Sequence, residues 1–131
     1  MTEPTLRLVA HPDTTAAQAV MDALRAGFRL RDATLLAALY REDAEYVVVN
    51  RNNPPSKRLV IHGRDGVRRL FEDMCSREMT HEVSQTIVSP DSIAFVTTCR
   101  YPDGCCVMGI SRATIENGLI SREFSVDCWD E

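Results

Sequence analysis

The sequence predicts an α+β domain in which three N-terminal helices pack on a curved, mostly antiparallel sheet. Before His81, apolar residues mostly recur with the 3.6-residue period of buried helix faces. From His81 onward the period changes to two, and turn residues separate successive segments. Two of these segments have about ten residues, and strands of that length twist and curve. Helices on the concave side of such a sheet enclose an internal pocket.

The bulk composition is that of one ordinary globular domain. We expect an N-terminal arm over residues 1–13 and a single domain over residues 14–131. A formal net charge of -4 does not favour a nucleic-acid partner. No apolar run approaches the roughly 20 residues of a membrane span, and the N-terminus lacks the pattern of a secretory signal. We therefore expect a cytoplasmic protein that contacts neither membranes nor nucleic acid.

The cysteines do not form a recognisable metal or disulfide pattern. They are Cys75, Cys99, Cys105, Cys106 and Cys128. An odd number of cysteines without a secretory signal favours reduced thiols. The sequence has no CxxC, and its histidine spacings complete no zinc pattern. We expect small buried apolar side chains here, and neither metal nor cofactor.

Three helices precede the change of period. The first begins near residues 13–15 and buries Ala17, Val20, Met21, Leu24 and Phe28. Asp32 or Thr34 caps the second, which turns Leu35, Leu36, Leu39 and Tyr40 inward. The third opens at the sequence GRDG, residues 63–66, and buries Val67, Leu70, Phe71, Met74 and Cys75.

The strand assignments follow from β-branched residues and turns. Residues 44–50 (AEYVVVN) form the first strand, and residues 59–61 form a short edge strand. Four consecutive antiparallel strands follow, over residues 81–89, 93–101, 105–115 and 119–128. Gly109 indicates a bulge or bend within the third of these four.

The element order and several short motifs together resemble the SnoaL-like group of the nuclear transport factor 2-like superfamily. The motifs are YREDAEY at residues 40–46, GRDGVRRLF at 63–71, His81 with Val83, SPDSIAFV at 89–96, and NGLISREFSVD at 117–127. The resemblance covers residues 14–128. It implies a cone-shaped half-barrel whose interior binds a small hydrophobic molecule, and a homodimer formed through the outer face of the sheet.

Catalytic members of that group include cyclases, isomerases, dehydratases and epoxide hydrolases, and this sequence departs from each pattern. Val48 stands where an isomerase-like site carries a carboxylate, and Ser111 stands where a cyclase-like acid would fall. Val20 stands at the position of a dehydratase-like tyrosine. His81 does match the place of a catalytic histidine in dehydratase-like members.

His81 and Glu123 are the candidate catalytic residues. An imidazole accepts and donates protons near neutral pH, although a histidine at a strand start can equally bond to a neighbouring turn. By the resemblance Glu123 faces the cone, where burial would make its carboxylate a base. The alternative is that Ile120, Phe124, Val126 and Cys128 form the inner face of that strand, which would put Glu123 outside.

Seven further residues are candidate ligand contacts: Tyr46, Val48, Asn50, Phe71, Met74, Tyr101 and Ser111. Hydroxyl and amide groups could bond a ligand, and the apolar members could line its pocket. Structural roles are the alternative, as a strand-end cap for Asn50 and as core for Phe71 and Met74.

Two functions therefore remain open. The first is a cofactor-independent isomerase, dehydratase or cyclase acting on a small hydrophobic carbonyl or hydroxyl compound. The second is a non-catalytic ligand-binding or dimerisation domain.

Overall fold

Three helices lie on one face of a six-stranded, unclosed sheet in the computed structural model, which describes residues 13–130. The predicted arm over residues 1–13 lies outside this range except for Asp13. The elements are α1 (Thr15–Leu30), α2 (Ala33–Ala37), β1 (Tyr40–Val49), β2 (Leu59–His62), α3 (Gly63–Ser76), β3 (Thr80–Ser89), β4 (Ser92–Arg100), β5 (Cys106–Glu116) and β6 (Leu119–Trp129), with a 3₁₀ turn at Pro55–Lys57. The predicted α+β class is confirmed.

The sheet has the order β2-β1-β6-β5-β4-β3. The four C-terminal strands form a consecutive antiparallel meander, as predicted. β1 pairs in parallel with β6 and antiparallel with β2, which is the predicted edge strand. The pairing of β1 with β6 therefore connects the N-terminal part of the chain, which contains the helices, to the last strand.

The link between α1 and α2 is tight because of two local features. Arg31 adopts a left-handed conformation (φ 52°) at the end of α1, and Asp32 accepts a 3.0 Å hydrogen bond from the Leu35 N–H as the cap of α2. Gly27 allows close approach, because a Cβ there would lie 2.6 Å from Leu36 Cδ2. Of the two predicted caps, Asp32 is the one used.

β6 contains a bulge that decides which side chains face inward. Ile115 pairs with Ile120 and Thr114 with Arg122, so Ser121 is an extra residue on β6. Ile120 and Glu123 consequently both point toward the helices and are buried. The alternative in which Ile120, Phe124, Val126 and Cys128 share the inner face is wrong, because the bulge places the last three on the outer face.

Three other sequence expectations change. Tyr40 begins β1, which starts four residues earlier than the predicted strand. Gly109 is not at a bulge, because it stays in register with Thr97 on β4 and Asp127 on β6. Of the cysteines, Cys99 is buried as expected, whereas Cys128 is exposed.

The core lies between the helices and the inner face of the sheet. Its largest fully buried side chains are Tyr40, Phe71, Met21, Leu24, Leu36, Ile120 and Val67. The aromatic rings of Phe28, Tyr40 and Tyr46 all pack against Phe71, with centroid distances of 5.7 to 6.3 Å. The narrow part of the cone is thus filled by aromatic side chains.

The outer face of the sheet carries exposed apolar side chains. Met108, Ile110, Phe124 and Val126 are 39 to 61% exposed. They lie together because Ile110 pairs with Val126. Met108 is the next outward residue to Ile110 on β5, and Phe124 is the next outward residue to Val126 on β6. Within residues 13–130, no helix has both the length and the apolar character needed to cross a membrane.

Candidate functional site

The inner face of β6 carries a polar row. Strand alternation after the bulge points Glu123, Ser125, Asp127 and Trp129 toward the helices. Glu123 lies deepest, and Trp129 lies at the open end of the cone, where β4 ends and β5 begins. The predicted inward position of Glu123 is therefore the one that the structure adopts.

Glu123 is held in a closed pocket of hydroxyl groups. Its side chain is 2% exposed, and Oε1 accepts a 2.5 Å hydrogen bond from the Tyr40 hydroxyl. Burial raises the pKa of Glu123 to about 7, while hydrogen bonds from Tyr40, Tyr46 and Ser111 act in the opposite direction. The carboxyl group therefore keeps its proton to higher pH than an exposed glutamate does, and it is shielded from solvent.

Two of the predicted ligand contacts are part of the wall around Glu123. Tyr46 on β1 is its cross-strand neighbour, and Ser111 on β5 is buried at 5% exposure. Val48 is buried next to Ser125 across the same strand pair. Val48 stands at the isomerase-like position and carries no carboxylate. The two inward carboxylates of this row, Glu123 and Asp127, both come from β6.

Asp127 is a second inward carboxylate, nearer the open end of the cone. It accepts a 3.0 Å hydrogen bond from the Ser125 hydroxyl, and burial raises its pKa. Its side chain lies over Gly109, where a Cβ would be 2.5 Å from Asp127 Oδ1 and 3.0 Å from Thr97 Oγ1. Gly109 therefore makes room for this carboxylate.

His81 lies across the sheet from the two carboxylates, at the start of β3. It is 7% exposed, and its Nδ1 lies 2.9 Å from Cys99 Sγ on β4. Its Nε2 is buried and has no hydrogen-bond partner among residues 13–130. A free nitrogen on a fixed imidazole is suited to proton transfer with a bound molecule.

The His81–Cys99 pair is neutral. Burial, and to a lesser extent the charge of Arg31, lowers the pKa of His81. Burial also raises the pKa of the Cys99 thiol to about 11. Because neither group is charged at pH 7, the pair is an imidazole beside a thiol, and Cys99 is a poor nucleophile.

Two adjoining cavities contact His81, and we call them the arginine cavities because Arg29 and Arg100 line both. Their volumes are about 480 and 650 Å³. Thr80 and His81 also belong to both walls. Their size is within the range of roughly 300–1,000 Å³ that is usual for small-molecule sites.

A third cavity, of about 450 Å³, opens between α3 and the ends of β1, β5 and β6. Its wall contains three predicted ligand contacts, Asn50, Met74 and Tyr101, together with Leu70 and Trp129. We call it the α3 cavity. It adjoins the larger arginine cavity, since Tyr101 and Met79 line both.

The polar candidates at the α3 cavity also have structural partners. Asn50 Oδ1 accepts hydrogen bonds from the backbone N–H groups of Asn52 and Asn53, which is the predicted strand-end cap. The Tyr101 hydroxyl accepts a 3.2 Å bond from Arg77 Nη1. Phe71, also a predicted contact, is fully buried among aromatic rings.

Sequence reasoning missed Tyr40, Arg29 and Arg100 as parts of this region, and left Asp127 without a role. Tyr40 could have been found from the start of the YREDAEY motif, had that segment been assigned to a strand. The arginines give no signal of their own, because α1 and β4 meet only in the folded protein. Among residues 13–130, no group of three or more potential ligand side chains is placed to hold a metal ion.

The fold and this inward polar face define a class of cone-shaped α+β domains, and comparisons with known proteins identify the family. The model of the SnoaL-like domain matches residues 17–123. The chain therefore belongs to the SnoaL-like family, as the motifs predicted. No curated protein sequence matches this chain.

Solved structures share the fold at low sequence identity. A candidate ketosteroid isomerase from Kribbella flavida superposes with a TM-score of 0.74 at 22% identity, covering 93% of this chain and 83% of its own. An NTF2-like protein of unknown function from Mesorhizobium loti gives 0.75 at 20% identity, covering 90 and 97%. A computationally designed 17-OHP binder gives 0.64 at 20% identity, covering 88 and 98%.

Proposed function

We propose that this protein binds a small hydrophobic carbonyl or hydroxyl compound in the arginine cavities and acts on it as a cofactor-independent isomerase or lyase. The observation that carries the proposal is the unpartnered Nε2 of His81, a buried residue that contributes to the lining of both cavities. A general base needs a nitrogen within reach of the substrate proton and a pKa at or below the working pH. The lowered pKa of His81 keeps it in its basic form at neutral pH.

His81 is the acid–base residue in this proposal, and its orientation is fixed on two sides. Cys99 Sγ contacts Nδ1, and the ring of Phe28 lies with its centroid 6.0 Å from that of the imidazole. A held ring leaves Nε2 as the nitrogen that exchanges a proton with substrate. Removing a proton from one carbon and returning it to another gives isomerisation. Removing a proton from one carbon and delivering it to a hydroxyl that leaves the neighbouring carbon forms a double bond, releases water and gives dehydration.

Glu123 is assigned to the support of the site. Its pKa suits acid–base chemistry, but the carboxyl is 2% exposed and hydrogen-bonded within the filled part of the cone. Each hydrogen bond that satisfies the carboxylate also holds β1, β5 and β6 in register. We expect Glu123 to affect stability more than the chemical step.

A non-catalytic binding or dimerisation domain is the second candidate. The aromatic rings that fill the narrow part of the cone favour it, since they leave no central chamber around Glu123. Apolar side chains on the outer face also supply a surface for a second copy of the chain. We propose a homodimer through this face under either function.

A ligand screen followed by matched histidine variants tests the catalytic proposal. Small ketones, enones and hydroxy compounds are screened by thermal shift, and hits are assayed for turnover. His81→Ala is expected to lower kcat/KM by roughly 100-fold or more, whereas His62→Ala, which removes an exposed histidine, leaves it unchanged. Unchanged turnover in folded His81→Ala would rule out the assignment. Ligand binding without turnover in the wild type would favour the second candidate.

A further inference from the structure

Glu123 is a titratable group in the core that has almost no contact with solvent. Its side chain is buried, yet its pKa of about 7 means that it gains or loses a proton near neutral pH. Each time this happens, a proton must cross the core. Either the strands around Glu123 open to water, or hydrogen-bonded side chains carry the proton.

Side-chain hydroxyl groups connect Glu123 to Asp127, four residues further along β6. Tyr46, the cross-strand neighbour of Glu123 on β1, forms side-chain hydrogen bonds with both Glu123 and Ser125. The Ser125 hydroxyl donates a 3.0 Å hydrogen bond to Asp127 Oδ1. Tyr46 and Ser125 are both buried, so these bonds are formed away from water. We call the four residues Glu123, Tyr46, Ser125 and Asp127 the relay.

Asp127 is the member of the relay that reaches the mouth of the cone. Its side chain is half-buried, whereas the other three members are buried. Its pair partner Gly109 has no side chain, so the Asp127 carboxylate lies over the backbone of β5, with Thr97 Oγ1 on the β4 side. Within residues 13–130, Ser125 is its hydrogen-bond donor and no ion pair neutralises it. This carboxylate is therefore open to proton exchange with water or with a molecule in the mouth.

The charges around the relay allow a proton to rest at either end. Burial raises the pKa of both carboxyl groups, and the charge of Asp127 raises the pKa of Glu123 further. The other titratable groups that face Glu123 are Tyr40 and Tyr46 on β1, and burial raises the pKa of both well above the usual range. Within residues 13–130, β5 and α3 contribute uncharged side chains at this level. The tyrosines therefore stay neutral, and the carboxyl groups hold the exchangeable proton.

We propose that the relay conducts protons between the core and the mouth of the cone, with Glu123 as the internal proton store and Asp127 as a second acid–base group. In one transfer, protonated Glu123 gives its proton to the oxygen of Tyr46. Tyr46 gives its own proton to Ser125 Oγ, and Ser125 gives its own to the Asp127 carboxylate. As many O–H bonds form as break, so Glu123 ends as a carboxylate, Asp127 ends as a carboxylic acid, and each hydroxyl keeps one proton. The inference goes beyond the proposed function, because it requires neither His81 nor the arginine cavities.

Carbon-13 NMR of the Glu123 carboxyl group in the full chain, recorded near pH 7, tests the relay. Fast proton exchange gives one averaged signal that moves with pH, whereas slow exchange gives separate signals for the two forms. We expect one averaged signal in the wild type. Ser125→Ala and Asp127→Asn should each slow the exchange by about tenfold or more, because the proton must then wait for buried strands to open. Asp127→Asn changes a half-buried side chain, so it provides a test even if Ser125→Ala does not fold.

Ser111→Ala is the matched control. It removes a buried hydroxyl that also hydrogen-bonds to Glu123 but has no hydrogen bond to Asp127 among the described residues, so the averaged signal should remain. Glu123→Gln identifies the signal by its disappearance. Separate signals in the wild type, a signal that does not move with pH, undiminished exchange in the relay variants, or equal slowing in Ser111→Ala would overturn the inference. None of these measurements uses a substrate, so the role of His81 is decided separately by turnover.

Discussion

The hydroxyl group of Tyr40 donates a 2.5 Å hydrogen bond to the buried carboxylate of Glu123, 83 residues further along the chain. The bond joins the first residue of β1 to the middle of β6 within the core. Tyr40 is 1% exposed and Glu123 is 2% exposed, so water does not compete for either group.

Tyr40→Phe should lower the free energy of unfolding by about 1 to 3 kcal/mol, because a buried carboxylate loses its shortest donor. Urea denaturation at pH 7 measures the change. Tyr101→Phe is the matched control, since that hydroxyl is bonded to exposed Arg77 and its loss should cost less than about 0.5 kcal/mol. Similar losses of unfolding free energy in both variants would show that the buried Tyr40–Glu123 hydrogen bond stabilises the fold no more than the exposed Tyr101–Arg77 bond does.

Glu123 should make stability fall as pH rises from 4.5 toward 7. Its folded-state pKa, about 7, is above the ordinary value of 4.5, so the folded protein binds the proton more tightly than the unfolded chain. The contribution is complete below pH 4.5 and is lost as pH rises through 7. At about 1.4 kcal/mol per pKa unit, the loss amounts to about 3 kcal/mol.

The contribution of Glu123 is isolated by comparison with Glu123→Gln, which cannot ionise. His81 and Asp127 also titrate with shifted pKa values, and they remain in both proteins. Urea unfolding between pH 4.5 and 8 should give a flatter pH dependence in the variant. Parallel curves for the two proteins would exclude Glu123 as a group with a raised pKa.

Gly109→Ala should destabilise the fold by about 1 to 3 kcal/mol, because the new methyl group overlaps the Asp127 carboxylate. A double-mutant cycle with Asp127→Ala measures this conflict directly. We expect the cost of Gly109→Ala to fall substantially in the Asp127→Ala background. Strict additivity of the two changes would mean that Gly109 is required for another reason.

Charge on the outer face of the sheet should dissociate the proposed homodimer. Val126→Glu places a carboxylate in the middle of the exposed apolar patch, next to its pair partner Ile110. Light scattering at micromolar concentration should show a dimer for the wild type and a monomer for the variant. Leu30→Glu, at an apolar residue at the end of α1 that is more exposed than Val126, should remain dimeric. A monomeric wild type contradicts the dimer.

The activity assigned to His81 should be retained at pH 7 and decline on the acid side below pH 6.5. Burial lowers the pKa of His81 from its ordinary value of 6.5, so the basic imidazole persists to lower pH than in an exposed histidine. The pH profile of kcat/KM for a turnover hit measures this. An acid limb centred above pH 6.5 would assign the step to another group.

Local patterns were sufficient to predict most of the fold but not the faces of β6. The stripes of α1 and α3 and the alternation after His81 are properties of adjacent residues, and the elements appear where these patterns place them. The bulge at Ser121 arises from pairing between β5 and β6. A shift of one residue exchanges the two faces of a strand, so alternation alone left Glu123 with two orientations.

The candidate site was less predictable because its members come from distant segments. His81 was identified through a motif, but its contact with Cys99 and the cavities beside α1 depend on tertiary packing. Tyr40 ends a helical pattern and begins a strand, and its role appears only when β1 lies beside β6. Single-sequence periodicity contains no information about such contacts.

The parallel pairing of β1 with β6 also has a consequence for how the chain folds. Nearly all of the domain must be synthesised before β6 exists, so the inner edge of β1 has no partner while the chain emerges from the ribosome. Long-range pairing of this kind closes a large loop and slows folding relative to the antiparallel meander. Until β1 pairs with β6, the unpaired edge of β1 and the apolar Val47–Val49 segment are open to aggregation.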